Sequence, residues 1–339
     1  MSMLKRGLLC LMISIAMQHP VFALESVNIA YIGGTADVGF YIADAKGYLR
    51  EYGIEAHFIT FDSSARMIAP LSTGEIDIAS GAINAATYNA FDRGITIKAV
   101  ADKARNKGSF SYQSLVVRKD LWDNGIITSA KDFAGKKIVI TAQGNNEAAV
   151  IDQYLIQAGL DPKSIDLSML SMPQQVLAYT NKSLDVSMLA EPFLTAALKQ
   201  NTIHILTAAS SIRDNDVSGT ILYSEIFAQK RPRVALDVMK AYLRGVRDYV
   251  SALKESKIAG DHADEIIEII SQYSSVKDKN TLRAITAHYV DPNGEIGVES
   301  LRADWAYFKK EKLINGNVSV DQIVDDQWIK AAVAQLGVY

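Results

Sequence analysis

TGEIDIASGA (Thr73–Ala82) has the pattern of a buried strand, yet it sets Asp77 between Ile76 and Ile78. An ionised carboxylate without partners is costly to bury, so this aspartate needs a purpose. The phrase returns as NKSLDVSMLA (Asn181–Ala190), with Asp185 between Leu184 and Val186. A polar lead-in, one apolar residue, Asp, one apolar residue and then small residues follow in the same order both times.

The likeness extends outward from each aspartate. Before Asp77, VNIAYIG (Val27–Gly33) is a β-branched-rich strand, and GFYIADAKGYLREYG (Gly39–Gly53) has helical spacing in Phe40, Ala43, Ala45, Tyr48, Leu49 and Tyr52, with Gly53 as its stop. IEAHFITF reads as a second strand, DSSARMIAPLSTG as a short capped helix and EIDIASG as the third strand. Before Asp185 the same order appears: strand KKIVITA, helix QGNNEAAVIDQYLIQAG closed by Gly159, strand SIDLSML, short helix SMPQQVLAYTNK, strand SLDVSML. Gly53 precedes Asp77 by 24 residues and Gly159 precedes Asp185 by 26. Two βαβαβ units of matched spacing predict two open α/β sheets with right-handed crossovers. Ligands of such sheets sit beyond the carboxyl ends of the strands, and these aspartates lie near the amino ends. The preferred reading is a carboxylate that accepts hydrogen bonds and fixes a turn, ahead of a catalytic pair.

Composition narrows the class. With 339 residues, 49% hydrophobic and 22% charged, the chain is of ordinary globular type and long enough for two domains. A net charge of -3 and the lack of a basic stripe argue against nucleic acid as a partner. MSMLKRG, LLCLMISIAM and QHPVFA give a basic start, an apolar run and small residues at Val21 and Ala23, the layout of a cleaved signal peptide over residues 1–23. Its removal takes away Cys10, the single cysteine, together with Lys5 and Arg6. The expected mature protein is exported, soluble and free of disulfides.

The loops at the carboxyl ends of the predicted strands are where a solute would be held. They are GGTADVGFY, DSSAR and SGAINAA in the first unit, and AQGNNE, SMPQQ and AEPF in the second. They are rich in Gly, Ala, Ser and Asn and most open into a helix, whose free N–H groups suit an oxyanion. The candidate ligand-binding residues are Phe40, Ser63, Ser64, Arg66, Ser80, Gly81 and Asn84 from the first unit, and Gln143, Asn145, Glu191 and Phe193 from the second. Asn146 is a further possible neutral donor, and Tyr41, Phe61, Tyr88, Phe110 and Tyr112 border the same loops. For any single Ser or Asn, service as a helix N-cap is at least as good a reading. Arg66 supplies the one full positive charge in this set, while Glu191 would repel an anion unless it faces an amine or fixes the turn at Pro192.

These motifs resemble those of the nitrate/sulfonate/taurine-type periplasmic substrate-binding proteins of ABC importers. The matching residues are the Ala-x-x-x-Gly helix in ADAKGYLREYGIEA, GEIDIA (Gly74–Ala79), DFAGKKIVI (Asp132–Ile140, with Phe133 where Leu is usual) and the Glu-Pro turn in AEPF. The resemblance runs to about residue 220. It implies a bilobed periplasmic-binding-protein fold joined by a two-strand hinge, with residues 24–105 opening lobe 1, 106–212 forming lobe 2, and 213–339 completing lobe 1 with C-terminal helices. Independently, Val234, Val238, Met239, Tyr242, Val246, Tyr249 and Leu253 trace one helical face; Leu301, Trp305 and Phe308 trace another, and Leu282, Ile285 and Tyr289 a third.

The implied function is periplasmic capture of a small anionic organic solute, a sulfonate or a carboxylate, and its delivery to the transmembrane subunits of an ABC permease by a monomer without cofactor. The alternative is a thiamine-pyrimidine-type binding protein or a related biosynthetic enzyme. Such enzymes carry a cysteine-rich iron motif, which a cysteine-free mature chain lacks, and His57, His204, His262 and His288 show no ligand spacing.

Overall fold

A computed structural model describes residues 24–339; the expected signal peptide, with Cys10, lies outside the described residues. The strands are β1 (Glu25–Tyr31), β2 (Ile54–Thr60), β3 (Ile78–Gly81), β4 (Ile97–Asn106), β5 (Gln113–Arg118), β6 (Ile138–Ile140), β7 (Leu167–Met169), β8 (Val186–Ala190), β9 (Ile203–Ala208) and β10 (Asp216–Ser224). They form two five-stranded sheets, ordered β2-β1-β3-β10-β4 and β7-β6-β8-β5-β9. Within each sheet the three βαβαβ strands are parallel. Next to them runs one antiparallel strand, β10 in lobe one and β5 in lobe two. That strand is the crossing point. The chain leaves lobe one after β4 to enter lobe two as β5, and leaves lobe two after β9 to return as β10.

The repeated aspartates do the same job in each lobe. Asp77 accepts the N–H of Asn28, in the middle of β1 (2.9 Å), and the Arg231 guanidinium meets its other oxygen. Asp185 accepts the N–H of Lys137, just ahead of β6 (2.9 Å), and Arg118 meets its other oxygen at 2.9 Å. Each carboxylate thus ties the amino end of the third strand to the central one, as its position predicts.

The expected helix over Gly39–Gly53 is interrupted. It runs Val38–Ala45, then Gly47 at φ +76° turns the chain before the short Tyr48–Glu51 helix. This break leaves the first helix free to cross the long helix Pro232–Ser251 at very close range. A Cβ on Gly245 would lie 2.1 Å from the Gly39 carbonyl oxygen, so two glycines meet backbone to backbone there. Val234, Val238, Met239, Tyr242, Val246 and Tyr249 of the long helix are all buried, in a core shared with Val27 and Ile29 of β1. Each contributes roughly 1.5–3 kcal/mol relative to exposure. Leu253 lies beyond this helix, in a two-residue strand Leu253–Lys254.

Leu301 and Phe308 of helix Val298–Lys310 are buried in a second lobe-one core, under β3 and β4. The third expected helical face is shorter than its spacing suggests. Helix Lys279–Ala284 ends before Ile285, and Tyr289 instead bridges Arg105 of β4. The tertiary pairing overrides the local period.

Candidate functional site

The carboxyl ends of both parallel sets face one another across a cleft, and a cavity of about 80 Å³ lies between them. Several waters or a small solute fit such a space. Every loop after a parallel strand of lobe one contributes: Gly34, Ala36 and Asp37 after β1, Asp62, Ser63 and Ser64 after β2, Gly81 and Ala82 after β3. Lobe two supplies Thr141, Asn145, Asn146 and Glu147 after β6, Met172 after β7, and Glu191 and Phe193 after β8. Lys103 of β4, Gln113 of β5, Ser218 of β10 and the crossing residue Tyr112 complete the wall.

The first helix of each lobe starts at this cavity, and each start holds an acid of its own chain. Asp37, at the cap of helix Val38–Ala45, is 1% exposed and accepts the N–H of Gly33 (3.1 Å), the Ser80 hydroxyl (2.7 Å) and the Lys103 ammonium (2.7 Å). Lys103 gives a further bond to the Ser80 carbonyl at 2.8 Å, so its charge is spent within lobe one. Glu147, in the first turn of helix Asn146–Gln157, accepts the N–H of Thr141 (2.6 Å) and the Thr141 hydroxyl (2.8 Å). It has no cation beside it, and burial pushes its pKa up to about 7.

A third acid repeats the device. Glu191 accepts the N–H of Thr195, inside helix Phe193–Lys199, at 3.0 Å, and burial again raises its pKa. The positive ends of three helices are therefore answered from within, and an anion entering the cavity would meet carboxylates where it needs donors.

Apart from Asp62, whose exposed carboxylate pairs with Arg66, the remaining wall is neutral. Asn145 donates through Nδ2 to the Thr141 hydroxyl oxygen at 2.9 Å, which leaves its buried Oδ1 unpartnered. Ser63 caps helix Ser64–Thr73 without a side-chain bond to it. Tyr112 bonds Ser218 at 3.0 Å and sets its ring edge-on to His288, 5.5 Å away. Burial lowers the His288 pKa to about 3, so that ring stays neutral. Tyr112, Phe193, Met172, Ala36, Ala82 and Ala190 make an apolar lining around these polar groups.

Of the eleven residues chosen from sequence, the cavity is lined by Ser63, Ser64, Gly81, Asn145, Glu191 and Phe193. The other five lie elsewhere. Phe40 packs on Tyr242 in the lobe-one core, with ring centroids 4.8 Å apart. Ser80 is wholly buried behind the wall, bonded to Asp37. Asn84 is occupied as the N-cap of helix Ala85–Asp92, in a capping box with Thr87. Gln143 is exposed. The correction of most consequence is Arg66: its side chain is 73% exposed and pairs with Asp62 at 3.6 Å, because Ser64, Met67, Ile68 and Leu71 define the buried face of its helix. Among the described residues, the cations lining the cavity come down to Lys103, and Asp37 neutralises it. The sequence reading missed Asp37, Lys103, Thr141 and Glu147 as wall residues.

A family model described as NMT1/THI5 like matches residues 35–255. The chain belongs to that family. The match takes in every residue of the cavity wall of this NMT1/THI5-like protein except Ile32 and Gly34. No curated protein sequence matches at a significant level. Among solved structures, the chain is similar to the ligand-binding component of an ABC-type import system from Staphylococcus aureus (15% identity, 91% of this chain and 99% of that one, TM-score 0.73). It is similar also to the periplasmic nitrate-binding protein NrtA from Synechocystis (15%, 93% and 90%, TM-score 0.74) and to the periplasmic aliphatic sulphonate-binding protein SsuA from Escherichia coli (18%, 89% and 92%, TM-score 0.67). At such identities the likeness shows the fold. It is the bilobed periplasmic-binding-protein fold that the sequence motifs imply.

Proposed function

We propose that this NMT1/THI5-like protein is the periplasmic solute-binding component of an ABC importer, without turnover of its own, and that its solute is a small molecule bearing N–H or O–H donors, neutral or positively charged. Export by the N-terminal signal, delivery to permease subunits and a monomeric state belong to this reading. The observation that carries the choice of solute is the occupation of three cavity-facing helix starts by Asp37, Glu147 and Glu191. The anionic solute expected from Arg66 loses its support, since Arg66 lies in solvent. What is left includes two acceptors, the Glu147 carboxylate and the unpartnered Asn145 Oδ1, beside the hydroxyls of Ser63 and Ser64 at the start of helix Ser64–Thr73. The same lining favours the thiamine-pyrimidine-type alternative as a binding protein, because an aminopyrimidine is flat enough for Tyr112 and Phe193 and carries an amino donor for Asn145.

A thermal-shift screen of the chain from Leu24 onward tests the proposal. The expected result is stabilisation by aminopyrimidines or small amines, with ethanesulfonate and nitrate inert and no compound consumed on incubation. Stabilisation by ethanesulfonate or nitrate alone would overturn the solute class and leave the capture role standing. Consumption of a bound compound would overturn the capture role.

A further inference from the structure

Glu191 reaches the cavity wall, but its acceptors are committed to other groups. Its carboxylate takes the N–H of Thr195 at 3.0 Å, the Thr195 hydroxyl at 2.8 Å and the N–H of Thr286 at 3.1 Å. Its carbonyl oxygen takes the Thr35 hydroxyl at 3.2 Å. Thr195 sits in lobe two, on the helix that follows Glu191. The other two partners belong to lobe one. Thr35 is in the loop after β1, and Thr286 stands between Ile285 and Ala287, both buried in the lobe-one core. Two of the four bonds that this residue accepts therefore cross the cleft.

Other bonds also run between the lobes: Asn146 donates through Nδ2 to the Asp216 carboxylate of β10 at 3.4 Å, a long contact, and Tyr112 bonds Ser218 beside the crossing strands. Ala85 donates its N–H to the Gly144 carbonyl at 3.0 Å, a neutral backbone contact at another point of the rim. Lys199 and Asp278 lie 3.4 Å apart with exposed side chains, and exposed pairs of this sort contribute little. Glu191 is 3% exposed. When the lobes part, its carboxylate exchanges the Thr286 N–H for water; when they meet, it is desolvated and needs that donor in place. The two Thr195 bonds stay within lobe two and hold the carboxylate aimed across the gap.

We propose that Glu191 is the clasp of the closed form, a positioning residue that holds lobe one against lobe two and does not itself contact the solute. The proposal goes beyond the solute reading and does not depend on which solute is bound. Glutamine cannot replace it. Backbone N–H groups of Thr195 and Thr286 approach opposite oxygens, so an amide turned either way sets its NH2 against one of them.

The test needs no solute. The chain from Leu24 onward contains no cysteine, so Lys199→Cys with Asp278→Cys gives a pair that a short bis-maleimide joins only in molecules that visit the closed form. In this background Glu191→Gln is expected to slow crosslinking about tenfold, the equivalent of about 1.4 kcal/mol. Thr35→Val is expected to slow it several-fold. Arg66→Ala, an exposed change away from these contacts, should leave the rate within about twofold, and labelling by a monofunctional maleimide should be unchanged throughout. Unchanged crosslinking in both Glu191→Gln and Thr35→Val would overturn the proposal, as would no crosslinking in the parent pair. If Glu191→Gln does not fold, Thr35→Val alone decides, since it removes one hydroxyl and keeps the shape.

Discussion

Lobe one and lobe two carry acids at the same stations, and those acids fare alike at one end of the sheets and differently at the other. At the amino ends, Asp77 and Asp185 each accept a central-strand N–H and each meet an arginine. At the carboxyl ends, Asp37 and Glu147 each reach back to a loop N–H, but Asp37 has Lys103 beside it and Glu147 has no cation. The amino-end pair holds the fold in both lobes. At the cleft, lobe one keeps a closed ion pair, while lobe two presents an acid whose charge is open to adjustment by whatever occupies the cavity.

Breaking the ion pair should cost most. Asp37→Asn strands the buried Lys103 charge, and a loss of about 3–5 kcal/mol is expected in urea denaturation at pH 7.5. Glu147→Gln, at the matching station, should cost nothing or stabilise in the same measurement, because glutamine still accepts from Thr141, no cation is left behind and the penalty of ionising a buried acid is removed. Equal losses from the two changes would erase the distinction between the lobes.

The second expectation concerns pH. The folded pKa of Glu147 is raised to about 7 from an ordinary 4.5, and that of buried Asp304 to about 7 from 3.8, so the folded chain retains protons that the unfolded chain has released. The contribution of these two acids to stability is then greatest below the ordinary carboxylate range and falls as pH rises toward 7. Glu147→Gln should remove on the order of 3 kcal/mol of that fall, read as the difference in unfolding free energy between pH 5 and pH 8. A slope unchanged by the substitution would place the poised acid elsewhere.

At the amino ends the two lobes should respond alike. Asp77→Ala and Asp185→Ala are each expected to cost about 2 kcal/mol, the scale of a bond to a charged group, and to agree within about 1 kcal/mol. A large inequality would mean that one of the pair has a further duty. The smallest effect belongs to Arg66→Ala, within about 0.5 kcal/mol for stability and without effect on solute affinity. A tenfold loss of affinity would return Arg66 to the site.

Much of this was readable from the sequence wherever a local pattern repeated. The duplicate βαβαβ order, the glycine stops and the role of Asp77 and Asp185 follow from spacing alone, because each depends on residues within one unit. Arg66 was also decidable. With Ser64, Met67, Ile68 and Leu71 as the apolar phase, position 66 falls on the far side of the helix. The upper acids could have been found by carrying the duplication one step further, since GGTAD and GNNE both put an acid at the start of the helix after the central strand.

Lys103 could not be read in this way. It lies in β4, where the last eight residues, Ala99–Asn106, are all buried, so no alternation marks the side that faces the cleft; its partner Asp37 is remote in sequence. The placement of β10 between β3 and β4, and the Thr286–Glu191 bond, are likewise products of long-range pairing with no local signature.

Asp37, Glu147 and Glu191 hold three of the helix starts that an anion would use, and on the proposed function Glu147 senses the solute instead. The sharpest test is calorimetric titration of the chain from Leu24 onward with an aminopyrimidine and with ethanesulfonate, at pH 7 in two buffers of different ionisation enthalpy. Saturable heat is expected with the aminopyrimidine, with protons released to the buffer as Glu147 ionises against a donor, and none with ethanesulfonate. Saturable binding of ethanesulfonate, with protons taken up from the buffer, would overturn this reading.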